Sequence, residues 1–349
     1  MSEADEARPG EPGAVEPAPG GGDAPLPAAG PTCSDWARSQ ELAPVGSAGH
    51  YRGYVLVEHP LPWPGEVTKA PGLAEVASLA ATAGLRAQAV VAPEWRPRGG
   101  EAMPLRRVVL YRGAEQGWAT PGARVERQVP AGSVAEALAE MLAEGEGAPG
   151  TEGPLVDVLV CTHGSRDRCC GARGMGLLQA LGAPAPDGAP QFRLWRTSHT
   201  GGHRFAPTVV VLPSGTLWAY ADTHLVRRVV AAAPGLAGPR PEASSGPGPD
   251  DGELLRHYRG CALLGPPPAQ ALEGAVAART GLGLLSARRR ALDLGGDLWR
   301  LETPEGAWEA RVTPGRQVPQ PDCQALPATA TKWSTEWAVH GLQEAGPLG

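Results

Sequence analysis

Two stretches of this chain spell out the same order of elements, and that repetition narrows the folds open to it. In the first, residues 51–59 (YRGYVLVEH) alternate and are rich in β-formers, while residues 73–85 carry apolar side chains at helical spacing. Residues 86–91, 106–111 and 124–129 read as strands, and a helix over VAEALAEML follows with Ser133 as its predicted N-cap. In the second, residues 155–160 form an apolar run, interrupted by Asp157, of the kind a buried strand shows, and a Gly- and Leu-bearing helix is expected around 175–181. Strands over 192–195, 208–212 and 216–220 come next, the last two joined at Pro213-Ser214-Gly215, and residues 224–232 close the stretch as a helix.

Strand, helix, strand, strand, strand, helix is the order of a thioredoxin-like unit, a βαβ half followed by a ββα half. The chain is therefore expected to be α/β, with two tandem units: a degenerate thioredoxin-like unit over 33–150 and a second over 151–234. The competing reading is one larger α/β sheet that happens to repeat. Residues 1–32 are Gly, Pro, Ala and acid and read as a disordered tail, and 235–250 (GLAGPRPEASSGPGPD) as a linker. A C-terminal α+β module is expected over 251–349. It should hold helices over 253–261 and 269–280 and strands near 291–294, 298–302 and 308–312, and Trp333 and Trp337, four apart, are predicted to pack a terminal helix.

Composition removes several function classes. A formal charge of -6, no basic run and 5% aromatic residues argue against a nucleic-acid surface. The chain has no Ile, no Asn, and only Lys69 and Lys332 as lysines, the bias that GC-rich codons impose, so Arg in place of Lys carries little functional information. The start has neither the basic nor the apolar stretch of a secretory signal, and no apolar run approaches the roughly 18 residues of a membrane span. No membrane association and a cytoplasmic location are expected. Three of the six cysteines crowd into ten positions, and in a reducing compartment that points to metal or redox chemistry before structural bridging.

The chemistry gathers in Cys161-Thr-His-Gly-Ser-Arg-Asp-Arg-Cys-Cys170 and His199-Thr-Gly-Gly-His203, each following a predicted strand. In a thioredoxin-like unit the loop after the first strand and the loop before the third lie side by side, so the two segments should meet. Thiolate and imidazole are ligands for zinc, copper or iron–sulfur, and two of each close a four-ligand set. Gly201 and Gly202 would cost about 1 kcal/mol each inside a helix, so the histidines are placed on a loop whose backbone can approach a cofactor closely. Arg166 and Asp167 are expected to pair and fix the loop. Cys33, Cys261 and Cys323 read as buried or idle thiols.

The signatures CTHGSRD-R-CC-G and SHTGGHRFAPT, with weaker likeness in LVEHPLPWP and YRGC, resemble the sucrase/ferredoxin-like family of thioredoxin-like ferredoxins, particularly its bacterial members. That resemblance implies one [2Fe-2S] cluster held by Cys161, Cys170, His199 and His203, with Cys169 as the alternative to Cys170. Around the ligands it leaves His163, Gly201, Gly202, Arg204 and Pro207 as supporting residues, with Pro207 at the place where thioredoxins carry a cis-proline. The implied function is one-electron transfer between an unnamed reductase and an acceptor protein. Imidazole in place of thiolate raises the potential and allows a proton to follow the electron. The rivals are a Cys2His2 zinc protein and a thiol-disulfide oxidoreductase, the latter disfavoured by the missing Cys-x-x-Cys. No carboxylate pair stands in a motif that would support sucrase activity.

Overall fold

The computed structural model describes residues 32–96, 103–115, 118–119, 124–144, 156–184, 188–233, 247–321, 323, 330 and 332–346. The expected tail before Thr32, and the expected linker apart from 247–250, lie outside them. Among the described residues no helix is long and apolar enough to cross a membrane.

Helices and strands mix in one α/β architecture. Helix α1 (Cys33–Ser39) opens the chain on a capping box, in which Thr32 and Asp35 satisfy each other's backbone N–H groups. Strand β1 (Gly53–Glu58), helix α2 (Leu73–Thr82), strand β2 (Leu85–Val91) and strand β3 (Leu105–Arg112) follow. A short hairpin of β4 (Ala114–Glu115) and β5 (Trp118–Ala119) leads to β6 (Arg124–Pro130) and α3 (Val134–Ala143). Ser133 precedes α3 as expected, but its side chain makes no capping hydrogen bond; a 3-10 turn over Ala131–Ser133 leads in instead. The second stretch runs β7 (Asp157–Cys161), α4 (Arg168–Leu181), β8 (Arg193–Thr197), β9 (Val209–Leu212), β10 (Thr216–Trp218) and α5 (Thr223–Ala231). Helix α4 therefore starts seven residues earlier than the sequence suggests, and both vicinal cysteines sit in its first turn. Asp167 caps it, accepting the N–H of Cys169 at 3.1 Å.

The strand order β2-β1-β3-β6 of the first stretch recurs as β8-β7-β9-β10 in the second. Edge strands β2 and β8 pair antiparallel, so the two stretches share one continuous sheet. The C-terminal segment begins with α6 (Asp251–Leu255), but residues 258–261, expected to be helical, form strand β11 (Tyr258–Cys261) on the β10 edge, which makes the sheet nine-stranded. Helix α7 (Pro267–Thr280) then leads to a second sheet of β12 (Arg290–Gly295), β13 (Leu298–Thr303), β14 (Gly306–Pro319) and β15 (Trp333–Ala345), in that order. The terminal element is thus a strand, not the helix expected for Trp333 and Trp337. Both spacings place residues four apart on one face, and pairing with β14 decides the matter.

Candidate metal centre

The parallel pair β7 and β8 sets the site. Cys161 and Thr197 are Cα partners at the ends of these strands, so the loops leaving them start side by side. Thr162 N–H donates to the Thr197 carbonyl at 3.1 Å, and Cys161 N–H to the Thr208 carbonyl at 3.1 Å. Strand β7 is buried along its whole length, its one charged residue, Asp157, being paired with Arg193 and Trp195. Helix α4 then lies against the cysteine loop at backbone distance. A Cβ on Gly174 would stand 2.0 Å from the Cys161 carbonyl oxygen, and one on Gly171 would stand 2.7 Å from the Cα of Gly164. These glycines are why a helix with poor intrinsic propensity lies where it does.

Cys161, Cys170 and His199 come together, with all their ligand atoms within 4.8 Å of one another. Both thiols are fully buried. The Cys170 thiol, with the His199 ring behind it, holds the Cys161 pKa below the ordinary thiol value, and Cys170 moves up in response. His199 Nδ1 is buried and has no hydrogen-bond partner among the described residues, as a nitrogen kept for a cation would be. His203 stands apart from this group. Its ring centroid is 5.6 Å from that of His199, while its Nδ1 lies 3.0 Å from Asp167 Oδ2 and 3.4 Å from Cys33 Sγ.

The vicinal cysteines diverge. Cys170 joins Cys161 and His199, whereas Cys169 turns to Cys33 at 3.2 Å and to Asp167 at 2.9 Å. Cys33, Asp167, Cys169 and Cys323 form a second group with every ligand atom within 4.8 Å. Cys33 is buried as expected, but it and Cys323 stand in a group of thiols, whereas Cys261 lies by itself in β11 with its thiol on the Ser214 carbonyl. Nor does Asp167 pair with Arg166, which is exposed. The carboxylate is buried and takes His203 and the N–H groups of Cys169 and Cys323 instead.

Supporting residues come from three directions. His163 Nδ1 accepts the His199 N–H at 3.1 Å and its Nε2 donates to the Pro64 carbonyl at 2.9 Å, while Trp63 meets the ring edge-on. Burial lowers the basicity of this imidazole, which suits the neutral form those bonds require. Arg86 and Gln88, both on β2, donate to the His199 carbonyl at 3.0 and 3.4 Å. Among the described residues, β1 to α3 thus contribute nothing to the Cys161, Cys170 and His199 group, yet β2 holds the histidine loop. Gly201 and Gly202 both have positive φ, and a Cβ on Gly202 would stand 2.3 Å from Arg259 Nη2. Arg259, fully buried, donates to the Gly201 carbonyl at 3.0 Å and to Ser47; burial pushes its guanidinium down to about 10. Arg204 is buried, stacked over Phe205 and bonded to Ser334, and the Ala206-Pro207 peptide is cis. Sequence reasoning missed Arg259, Arg86 and Gln88; only the YRGC stretch carried a signal for the first.

An α/β sheet whose adjoining loops converge thiols and imidazoles defines the class as a protein with a candidate metal centre. The sucrase/ferredoxin-like family matches over residues 44–235, more than half of the chain, and the chain belongs to that family. No curated protein and no solved structure matches it.

Proposed function

We propose that the chain is a one-electron carrier that holds a single [2Fe-2S] cluster with Cys161, Cys170, His199 and His203. The observation that carries this reading is the donor set itself: two buried thiols beside one imidazole with an uncommitted nitrogen, and a second imidazole set further off. A wider, uneven set suits a dinuclear centre, whose ligands are shared between two irons. Such a cluster supplies reversible uptake and release of one electron.

The chain's own residues prepare that chemistry in identifiable ways. Glycines 171 and 174 let α4 close over the cysteine loop and exclude water. His163 fixes the His199 backbone. Asp167 Oδ2 stands 3.0 Å from His203 Nδ1, a contact that would orient the ring and leave Nε2 as the ligating nitrogen. Arg259 brings a buried positive charge within electrostatic reach of Cys161 and Cys170, which offsets thiolate charge and favours the electron-rich state. All six thiols are unpaired, which fits a reducing compartment. The partners would be a reductase and an acceptor protein, and proton uptake at an imidazole would accompany the electron.

Zinc in the same donors is the competing reading, since three of them stand close enough to share one ion. Metal and sulfide analysis of protein purified without oxygen separates the two. About two iron and two sulfide per chain, lost in Cys161→Ser, support the cluster; zinc lost in Cys161→Ser with no visible absorption supports the rival.

A further inference from the structure

We infer that Cys33, Asp167, Cys169 and Cys323 form a second, separate metal site that takes one zinc ion. This inference stands on different residues from the proposed cluster and does not depend on it.

The spacing argues for a single ion. Cys33 Sγ lies 3.2 Å from Cys169 Sγ and 3.6 Å from Cys323 Sγ, and 3.8 Å from both carboxylate oxygens of Asp167. A tetrahedron with Zn–S bonds of about 2.3 Å has edges of about 3.8 Å, so these atoms need to open by only a few tenths of an ångström. An iron–sulfur cluster interposes bridging sulfides and needs its ligands further apart. Three thiolates and one carboxylate oxygen also suit zinc, which accepts both donor types in closed four-coordinate sites, better than copper(I), which prefers sulfur alone.

The site is largely enclosed. Cys33, Asp167 and Cys169 are buried, and Cys323 is half-buried. Cys169 lies in the first turn of the 14-residue helix α4, where the helix dipole favours a thiolate. Arg204 is within electrostatic reach of Cys33 and offsets part of the negative charge.

The ligands also explain why the outlying segments are attached. Cys33 and Cys169 are 136 residues apart, and Cys33 and Cys323 are 290 apart. One ion would staple α1 and the β14–β15 connection onto the start of α4. Asp167 would then touch both centres, with Oδ1 beside Cys169 and Oδ2 on His203.

The test uses the full chain, made without a histidine tag in cells given both iron and zinc. About one zinc per chain is expected, with X-ray absorption showing three sulfurs at about 2.3 Å and one oxygen at about 2.0 Å. Cys323→Ser and Cys33→Ser should lose the zinc and keep the iron, while Cys161→Ser should do the reverse. Less than about a tenth of a zinc per chain overturns the site, since a closed structural zinc is retained on purification. So does a zinc shell of two sulfurs and two nitrogens, zinc retained in both serine variants, or zinc-free protein lighter by two hydrogens with a Cys33–Cys169 disulfide. The wild-type absorption data decide the matter even if a variant fails to fold.

Discussion

His163 accepts the backbone N–H of His199 at 3.1 Å and so ties the loop that carries the cysteines to the loop that carries the histidines. Its other nitrogen is anchored on the Pro64 carbonyl, so the ring is held from both ends. His163→Ala leaves a buried N–H unsatisfied, at a cost of about 1 to 3 kcal/mol. Loss of the chromophore to a chelator should speed up by about tenfold or more, since 1.4 kcal/mol is a factor of ten. His163→Asn, which can present an oxygen near the Nδ1 position, should recover part of the difference. Equal rates in all three proteins would remove His163 from the account.

Glycines on α4 give a paired test. Gly174→Ala drives a Cβ against the Cys161 carbonyl, whereas a Cβ on Gly176 meets nothing within 4 Å. The first should abolish metal retention without touching a ligand. The second should be neutral or stabilising by up to about 1 kcal/mol, the helix-propensity difference between Gly and Ala. Denaturation midpoints and iron content of the two variants check both halves.

Why these features were or were not legible in the sequence follows from the same residues. The strands of the main sheet showed because burial on both faces leaves a largely apolar signature, as in β9, and the candidate ligand segments showed because their donors are close in sequence. The start of α4 was hidden because Cys-Cys-Gly-Ala-Arg-Gly reads as a loop; the Asp167 cap was the available signal, and the glycines there serve close packing. Strands β11 and β15 were misjudged because short apolar runs and a four-residue Trp spacing suit both helix and strand. Cys33 and Cys323 carried no local mark at all, since their partners lie far along the chain.

Arg259 carries a buried positive charge whose hydrogen bonds go to two carbonyls and a hydroxyl. Arg259→Met should lower the reduction potential of the bound centre, because a nearby cation stabilises the added electron. Arg259→Lys should keep the charge but lose the contacts to both Gly201 and Ser47, and so fall between the two in potential. Identical potentials in wild type and Arg259→Met would show that the guanidinium only braces the loop.

Burial lowers the basicity of His59 and His257 from the ordinary value of 6.5. Each takes up its proton at a lower pH in the folded chain than in the unfolded chain. Stability is therefore complete above about pH 6.5 and falls as pH drops below it toward the folded-state values. Urea midpoints at pH 7.5 and 5.5 should show this decline, and His257→Gln should reduce it. A midpoint that rises on acidification would contradict the assignment.

Pulsed EPR of the dithionite-reduced protein tests the central claim most directly. The account predicts a paramagnetic signal only after reduction, with hyperfine coupling from two inequivalent histidine nitrogens, one of which disappears in His203→Cys while the cluster remains. A reduced cluster with no strongly coupled nitrogen, or protein that gives no signal while holding zinc in place of iron, would contradict it.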